Sequence, residues 1–320
     1  MAAKQTVLIA SSSADIPNYG KVAEHLEQRG FRVIIYAPNT IANARHDFSM
    51  RLDANGAMRI TYDGQRLDVA KIHAAWYRRP DFYGKPKDKQ RWQAIKDEYH
   101  ALQNNIWALI PNDTWLNAPD NMKRADVKMQ QLAAAAAAGF RIPETVISNT
   151  WDMVEAFQQD RLIVKMIERI SLPAGNGTKS LPTTIVRRDN LPKQALPYPG
   201  LWQPYIQKKR EWRITVVGEK VFSAAIYTEE SAKDDWRTHQ FGPAVVFKAE
   251  PFPKEEQQKC IALLKHFKLR YGAFDFVETP GGEIIFLEVN TNGQFMWLED
   301  QLGLPISEAI AEELITIAAR

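Results

Sequence analysis

The chain has 320 residues, 45% hydrophobic and 25% charged, and its 41 Lys and Arg against 38 Asp and Glu leave a formal charge of +3. Such a composition suits an ordinary soluble globular protein with room for two or three lobes, and it argues against nucleic acid and membrane as partners while favouring, weakly, an acidic ligand. The single cysteine, Cys260, rules out an internal disulfide, and the six histidines lack the spacing of a structural zinc site. The N-terminal MAAKQTVLIASSS has too short an apolar run for a signal peptide, and no stretch approaches the length of a transmembrane helix, so the expected location is the cytoplasm.

In chain order, Thr6 to Ala10 reads as a short buried strand, Tyr19 to Arg29 as a helix closed by Gly30, and Phe31 to Tyr36 as a second strand, a β-α-β opening with a parallel sheet. The intervening SSSAD lacks the glycine spacing of a dinucleotide fingerprint and is read as a turn. Trp92, Ile95, Tyr99, Leu102, Ile106 and Leu109 recur at helical spacing, a stripe expected to be core that ends before Pro111. A helix is expected over Asn121 to Gly139, where the run Ala133 to Ala138 permits close backbone packing.

Next come a strand at Thr145 to Ser148, a short helix from Trp151 to Gln159, a strand at Leu162 to Ile167, a glycine-containing loop at Gly175 to Lys179 and a strand at Thr183 to Val186. Leu201 to Ile206 reads as a connector between lobes. Antiparallel strands Glu211 to Val217 and Val221 to Tyr227 precede a polar excursion at 228–244, and helices follow at Lys254 to Phe267 and Pro305 to Ala319. Cys260 falls in the amphipathic pattern of the first of these, as a core thiol rather than a nucleophile.

The most chemically specific segment lies between those helices. Tyr271 to Val277 (YGAFDFV) and Phe286 to Gln294 (FLEVNTNGQ) flank a Pro-Gly-Gly turn. Glu288 and Asn290 are two apart on an extended segment, so their side chains share a face. If Pro280 to Glu283 is a four-residue hairpin loop, Thr279 pairs with Ile284 and Asp275 lies opposite Glu288. Two carboxylates and an amide carbonyl are hard ligands that suit Mg²⁺ at roughly 2.1 Å, with water and phosphate completing its octahedron. A lone Glu-x-Asn at a strand end is ordinarily a solvated edge. The apolar company of Phe274, Phe276, Ile284, Ile285, Phe286, Leu287 and Val289 argues otherwise, because buried carboxylates need a counter-charge.

Lys165, inside the apolar LIVKMI, either reaches outward along its stem or meets an anion, and beside a metal nucleotide the anion is phosphate. Lys128 is a second candidate phosphate contact, against the ordinary reading of a solvated helical lysine. Gln203 to Ile206 has the character of an adenine-edge strand, with Tyr205 and Ile206 packing on the purine faces and Glu211 in reach of a ribose hydroxyl. Arg213, on the face of Glu211, is a planar fork suited to a phosphoryl or acyl-phosphate group.

This order of elements resembles that of ATP-grasp ligases. Within them the chain is similar to the microviridin-type peptide maturases, graspetide ligases that tie peptide side chains together through esters or amides. The likeness runs through WYRRP (Trp76 to Pro80), the stretch from Lys128 through Gly139 to IPET (Ile142 to Thr145), EWRITVVGEKVFSAAI (Glu211 to Ile226), DWR (Asp235 to Arg237), YGAFDFV and FLEVNTNGQFMWLE (Phe286 to Glu299), nearly the whole chain. WYRRP and the last motif discriminate, since other ATP-grasp enzymes share the metal ligands without those flanks. Where the family signature is often Asn-Pro-Asn-Gly, this chain has Asn290-Thr-Asn-Gly293.

The resemblance implies a mixed α/β and α+β protein: an N-terminal pre-ATP-grasp α/β domain over 1–118, an ATP-grasp central lobe over 119–200 and a C-terminal lobe with the Mg²⁺ site over 201–320, the lobes sandwiching ATP. It implies Mg²⁺ at Asp275, Glu288 and Asn290, ATP phosphates at Lys128 and Lys165, adenine along Gln203, Tyr205 and Ile206, and ribose at Glu211. Arg213 and Arg237 would serve the acyl phosphate and the peptide carboxylate, and a precursor-peptide leader would bind about Arg187 to Asn190, with Asp189 and Asn190 as contacts. Relatives commonly pair as homodimers, and Trp76 or Trp92 is the candidate surface.

The expected activity is an ATP-dependent carboxylate ligase that activates Asp or Glu side chains of a precursor peptide as acyl phosphates and joins them to Thr/Ser hydroxyls or Lys amines. One rival is a ligase for a free amino acid or small peptide. Another is an ATP-binding interaction module without catalysis, against which the retention of both lysines, all three metal ligands and Arg213 argues.

Overall fold

The computed structural model describes residues 4–42, 45–80, 92–167, 171–174, 177–180, 183–191, 196–229 and 242–320. Strand β1 (Thr6–Ala10) is buried throughout, α1 (Ile16–Gln28) returns the chain to β2 (Arg32–Tyr36), and α2 (Pro38–Ala42) follows. Gly30, at φ +85°, donates its N–H to the Glu27 carbonyl and ends α1 in the left-handed conformation that glycine adopts without a Cβ clash. Three antiparallel strands, β3 (Phe48–Leu52), β4 (Met58–Tyr62) and β5 (Gln65–Leu67), form a sheet of their own that the sequence reading did not foresee. Then come β6 (Ile72–Tyr77), α3 (Trp92–Trp107) and β7 (Trp115–Leu116), which complete a parallel sheet of order β2-β1-β6-β7.

Of the apolar stripe expected to be core, Ile106 is buried and Tyr99 and Leu102 are half-buried, whereas Ile95 and, past the end of α3, Leu109 are exposed. Trp76, a candidate dimer surface, is 3% exposed in the core between β1, α1 and the C-terminal helix, so it is unavailable to a partner. The side chain of Trp92 lies outside the described ones.

The helix expected over Asn121 to Gly139 is two helices, α4 (Pro119–Ala125) and α5 (Lys128–Ala137). The break at Asp126 and Val127 is held by tertiary partners: Gln131 donates to the Ala125 carbonyl at 2.7 Å, and the Asp126 carboxylate accepts from Thr291. Beyond it lie β8 (Val146–Ser148), α6 (Asp152–Glu155), β9 (Arg161–Lys165), the hairpin β10 (Ser171–Ala174) and β11 (Gly177–Ser180), β12 (Thr184–Arg187) and β13 (Gly200–Pro204). Gly175 and Asn176 of the expected glycine loop lie outside the described residues. Strand β13 is no connector but an interior member of the antiparallel sheet β12-β9-β13-β8, where Trp202 packs on Val154, Phe157 and Leu162. Its apolar side chains have somewhere to go, which an exposed interlobe segment would not supply.

The rest is one five-stranded antiparallel sheet, β16-β15-β14-β17-β18, made by β14 (Arg210–Val217), β15 (Lys220–Thr228), β16 (Val245–Ala249), β17 (Tyr271–Glu278) and β18 (Ile284–Asn290). Helix α7 (Lys254–His266) and α5 share a core with this sheet, through Leu132, Ala135, Leu263, Leu264, Phe274 and Phe286. Cys260 belongs to that core, and burial pushes its thiol well above the ordinary value, as a structural cysteine requires. Helices α8 (Met296–Leu302) and α9 (Ile306–Ala318) follow, and α9 packs back onto the N-terminal sheet, joining Leu314 and Ile310 to Val7, Ile9 and Val22. No helix among the described residues is long and apolar enough to cross a membrane.

Candidate active site

Strands β17 and β18 pair in the register that sets Asp275 opposite Glu288, but by a different route from the one the sequence suggested. Glu278 rather than Thr279 pairs with Ile284, so the loop is one residue longer, and an irregularity between Asp275 and Phe276 restores the alignment. On its other edge β18 bridges Arg141, whose carbonyl accepts the Phe286 N–H at 2.8 Å.

The three expected ligands converge. The Asn290 amide donates Nδ2–H to Asp275 Oδ2 at 3.1 Å and to Glu288 Oε1 at 3.2 Å. Turning that amide over would present its carbonyl oxygen to the same point, the orientation a cation needs. Two facing carboxylates repel, and two cations hold them together here. Lys128, the first residue of α5, places Nζ 2.6 Å from Glu288 Oε2, and Arg213 Nη1 donates to Asp275 Oδ1 at 2.9 Å from the neighbouring strand. With side chains 10 to 27% exposed, this is a half-buried, charge-balanced cluster. Arg213 Nε is buried without a hydrogen-bond partner among the described residues. Among those residues no group of three His, Cys, Asp or Glu could hold a metal. The set here is two carboxylates and an amide, a hard oxygen set that fits Mg²⁺.

Behind the cluster, a ring of buried polar groups grips the chain from 289 to 293. Gln131 accepts the Val289 N–H and donates to the Val289 carbonyl, both at 2.9 Å. Asn117 donates to the carbonyls of Tyr271 and Thr291 and accepts from the N–H groups of Arg270 and Tyr271. Tyr271 donates its hydroxyl to the Gly293 carbonyl at 2.7 Å. From the N-terminal domain, Arg78 and Arg79 donate to the Asn292 carbonyl. Sequence reasoning singled out WYRRP without a role for it, and it missed Asn117 and Gln131, whose residue types alone carry no signal.

The remaining candidates stand in the following places. Lys165 is the half-buried last residue of β9, opposite Leu201 of β13, rather than midway along an apolar strand. Gln203 is buried, donates to Thr145 at 2.9 Å and keeps an Oε1 with no partner among the described residues. Tyr205 and Ile206 follow the strand, both half-buried, but the Tyr205 N–H is taken by the Arg161 carbonyl at 2.9 Å and its ring lies 3.9 Å under the Arg161 guanidinium. One face of that ring is therefore unavailable to a purine. Glu211 is ion-paired with Lys208 and shares its side of β14 with Arg213. Asp189, 67% exposed, and Asn190 lie on a 3-10 turn after β12, with Arg187 Nε 3.3 Å from the Asp189 carboxylate. Arg237 and the DWR motif lie outside the described residues.

A model of the MvdD pre-ATP-grasp domain matches residues 6–123, and one of the RimK-like ATP-grasp domain matches 176–314. The chain belongs to the ATP-grasp ligases. Solved structures similar to this chain over nearly its whole length include a RiPP-associated ATP-grasp ligase and macrocyclases. A RiPP-associated ATP-grasp ligase of Chryseobacterium gregarium, solved with ADP and a leader and core peptide, is 26% identical, with TM-score 0.83 over 98% of this chain and 97% of that one. The macrocyclase MdnC of Microcystis aeruginosa, bound with precursor peptide MdnA, is 27% identical, with TM-score 0.81 over 97% and 99%. MdnB of the same organism is 26% identical, with TM-score 0.77 over 97% and 99%. Comparison with curated protein sequences gave no match.

Proposed function

We propose that this ATP-grasp ligase macrocyclises a ribosomal precursor peptide, activating Asp or Glu side chains and joining them to Thr/Ser hydroxyls or Lys amines of the same chain. The observation that carries the reading is the Asp275, Glu288 and Asn290 cluster held between Lys128 and Arg213. The relatives solved with leader, core or precursor peptide supply the substrate class. In the reaction a peptide carboxylate attacks the γ-phosphorus of ATP and ADP leaves; the hydroxyl or amine then attacks the acyl phosphate, giving up its proton as phosphate departs.

Asp275, Glu288 and Asn290 are the Mg²⁺ ligands in this proposal. The ion, when bound, neutralises phosphate charge. Lys128 exchanges its Glu288 partner for phosphate, Lys165 provides a second phosphate contact, and Gln203 with the following Tyr205 and Ile206 borders adenine, where the Gln203 Oε1 suits an amino group. Glu211 serves the ribose, Arg213 the acyl phosphate and Arg237 the peptide carboxylate, while Asp189 and Asn190 read the leader. Little covalent work falls to the protein, whose task is positioning and charge neutralisation.

Two measurements test this. Incubation with ATP, Mg²⁺ and the cognate precursor is expected to lighten the peptide by one water per bond, because each condensation is intramolecular; a ligase for free amino acids makes its acceptor heavier. Phosphate release driven by free amino acids with unchanged peptide mass, read by mass spectrometry, would replace the macrocyclase with that rival. Lys165→Met keeps the apolar stem and is expected to weaken ATP binding by about 1.5 to 3 kcal/mol, the range of a charge-assisted contact. Equal calorimetric affinities would mean that Lys165 serves the fold and not the nucleotide.

A further inference from the structure

Arg78 is 0% exposed, and burying a guanidinium is costly unless its charge is met; Nε and Nη1 have partners here, while Nη2 has none among the described residues. Its backbone N–H extends the β1–β6 pairing by donating to the Ala10 carbonyl at 2.7 Å, which fixes the root of the side chain. Nε donates to Asp15 Oδ2 at 2.9 Å, and Asp15 is itself held by Ser11 and Asn18. Nη1 then reaches a loop 214 residues away, donating to the Asn292 carbonyl and Oδ1 at 3.1 Å each and to the Gly293 carbonyl at 3.2 Å. Phe295 lies 5.7 Å beneath the guanidinium. Burial holds the guanidinium's pKa below its ordinary value, against the opposing pull of the Asp15 charge.

Thus SSSAD and WYRRP, at the ends of neighbouring parallel strands, form one device whose far end is the loop immediately after Asn290. Only a planar fork can reach the carboxylate on one side and several carbonyls on the other; a lysine ammonium cannot. We propose that Arg78, anchored by Asp15, is a positioning residue that holds the Asn292-Gly293 backbone and through it sets the place of Asn290 and Glu288 for the metal nucleotide. The proposal rests on the metal assignment made above. It makes the N-terminal domain a working part of the nucleotide site, although Arg78 itself touches none of the three ligands.

The test compares Arg78→Lys, Asp15→Asn and Asn292→Ala with Glu288→Gln in the full chain. ADP binding is followed by calorimetry across a range of Mg²⁺ concentrations, thermal unfolding is recorded beside it, and amide exchange over 289–294 is measured without nucleotide. For Arg78→Lys the Mg²⁺ concentration at half-saturation is expected to rise roughly tenfold to a hundredfold, as for other groups that orient metal ligands, with faster exchange confined to 289–294. Asp15→Asn and Asn292→Ala shift it in the same direction by less. A merely structural role lowers thermal stability and leaves the Mg²⁺ dependence of the folded protein unchanged, and that result overturns the proposal. Should Arg78→Lys not fold, Asn292→Ala, which removes one acceptor at a half-buried position, decides in the same way. If Glu288→Gln shifts the Mg²⁺ dependence and the other variants do not, positioning fails while the metal site stands; if Glu288→Gln does not shift it either, both fall.

Discussion

Glu288→Gln is expected to lower turnover by at least about a thousandfold, because several kcal/mol of charge stabilisation on the transferring phosphoryl group depend on a correctly held cation. The substitution is nearly isosteric, and the side chain is 20% exposed at the end of a strand whose apolar neighbours Phe286 and Val289 make the packing. It also removes one of two facing carboxylates while freeing Lys128 of its ion pair, opposing changes at a partly solvated site that largely cancel in stability. Unfolding temperature is therefore expected to stay within a few degrees of wild type. Asn290→Ala is expected to follow Glu288→Gln in turnover, since its amide touches both carboxylates. Phosphate release at ordinary Mg²⁺, measured beside circular dichroism melting, checks the pair. Wild-type turnover by either variant would end the role assigned to that residue.

How far the sequence reveals this site can be judged residue by residue. That Glu288 and Asn290 share a face was legible because alternation along a strand fixes which side chains lie together, whereas the facing of Asp275 and Glu288 hangs on the loop length. The loop length was not legible, since nothing local to the hairpin announces the irregularity between Asp275 and Phe276 that restores the register. Misreading the loop by one residue and overlooking a one-residue bulge cancelled. Similarly, nothing local to Asn121 to Gly139 announces the break at Asp126, because the groups that stabilise it, the Thr291 hydroxyl among them, arrive from distant chain. The second sheet of the N-terminal domain is a different case. Asp63 and Gly64, both at positive φ, make the two-residue turn between β4 and β5, and an Asp-Gly pair is a local hairpin signal in its own right. Arg78 shows the limit of motif reading: WYRRP marks the residue, but its partner at Asn292 is a product of the whole fold.

Gly293, the last residue of the NTNG signature, carries the second large effect. A Cβ built there would lie 2.3 Å from the Cβ of Ala273 on β17, a contact that no rotamer change relieves because neither atom sits on a flexible chain. Its φ is not in the left-handed region, so close approach rather than backbone conformation is what demands glycine. Gly293→Ala is therefore expected to cost about 1 to 3 kcal/mol of stability, toward the upper end of that range for overpacking because the contact is so short. Turnover should fall with it, because the same residue offers its carbonyl to Arg78 and Tyr271 and lies three beyond Asn290. The remedy follows from the geometry. In Gly293→Ala/Ala273→Gly the offending methyl has been moved from β17 to the loop, leaving the new Cβ with ordinary contacts of 3.5 Å to Asn290 and 3.6 Å to the Ala273 backbone. The double variant is expected to recover most of the lost stability and turnover, short by about 1 kcal/mol for a glycine placed in a strand. Denaturant unfolding of the wild type, the two single variants and the double variant forms a complete cycle whose coupling energy isolates this contact. A stable, active Gly293→Ala, or a double variant no better than the single one, would show that the close approach of β17 to the loop is not what fixes the metal-binding turn.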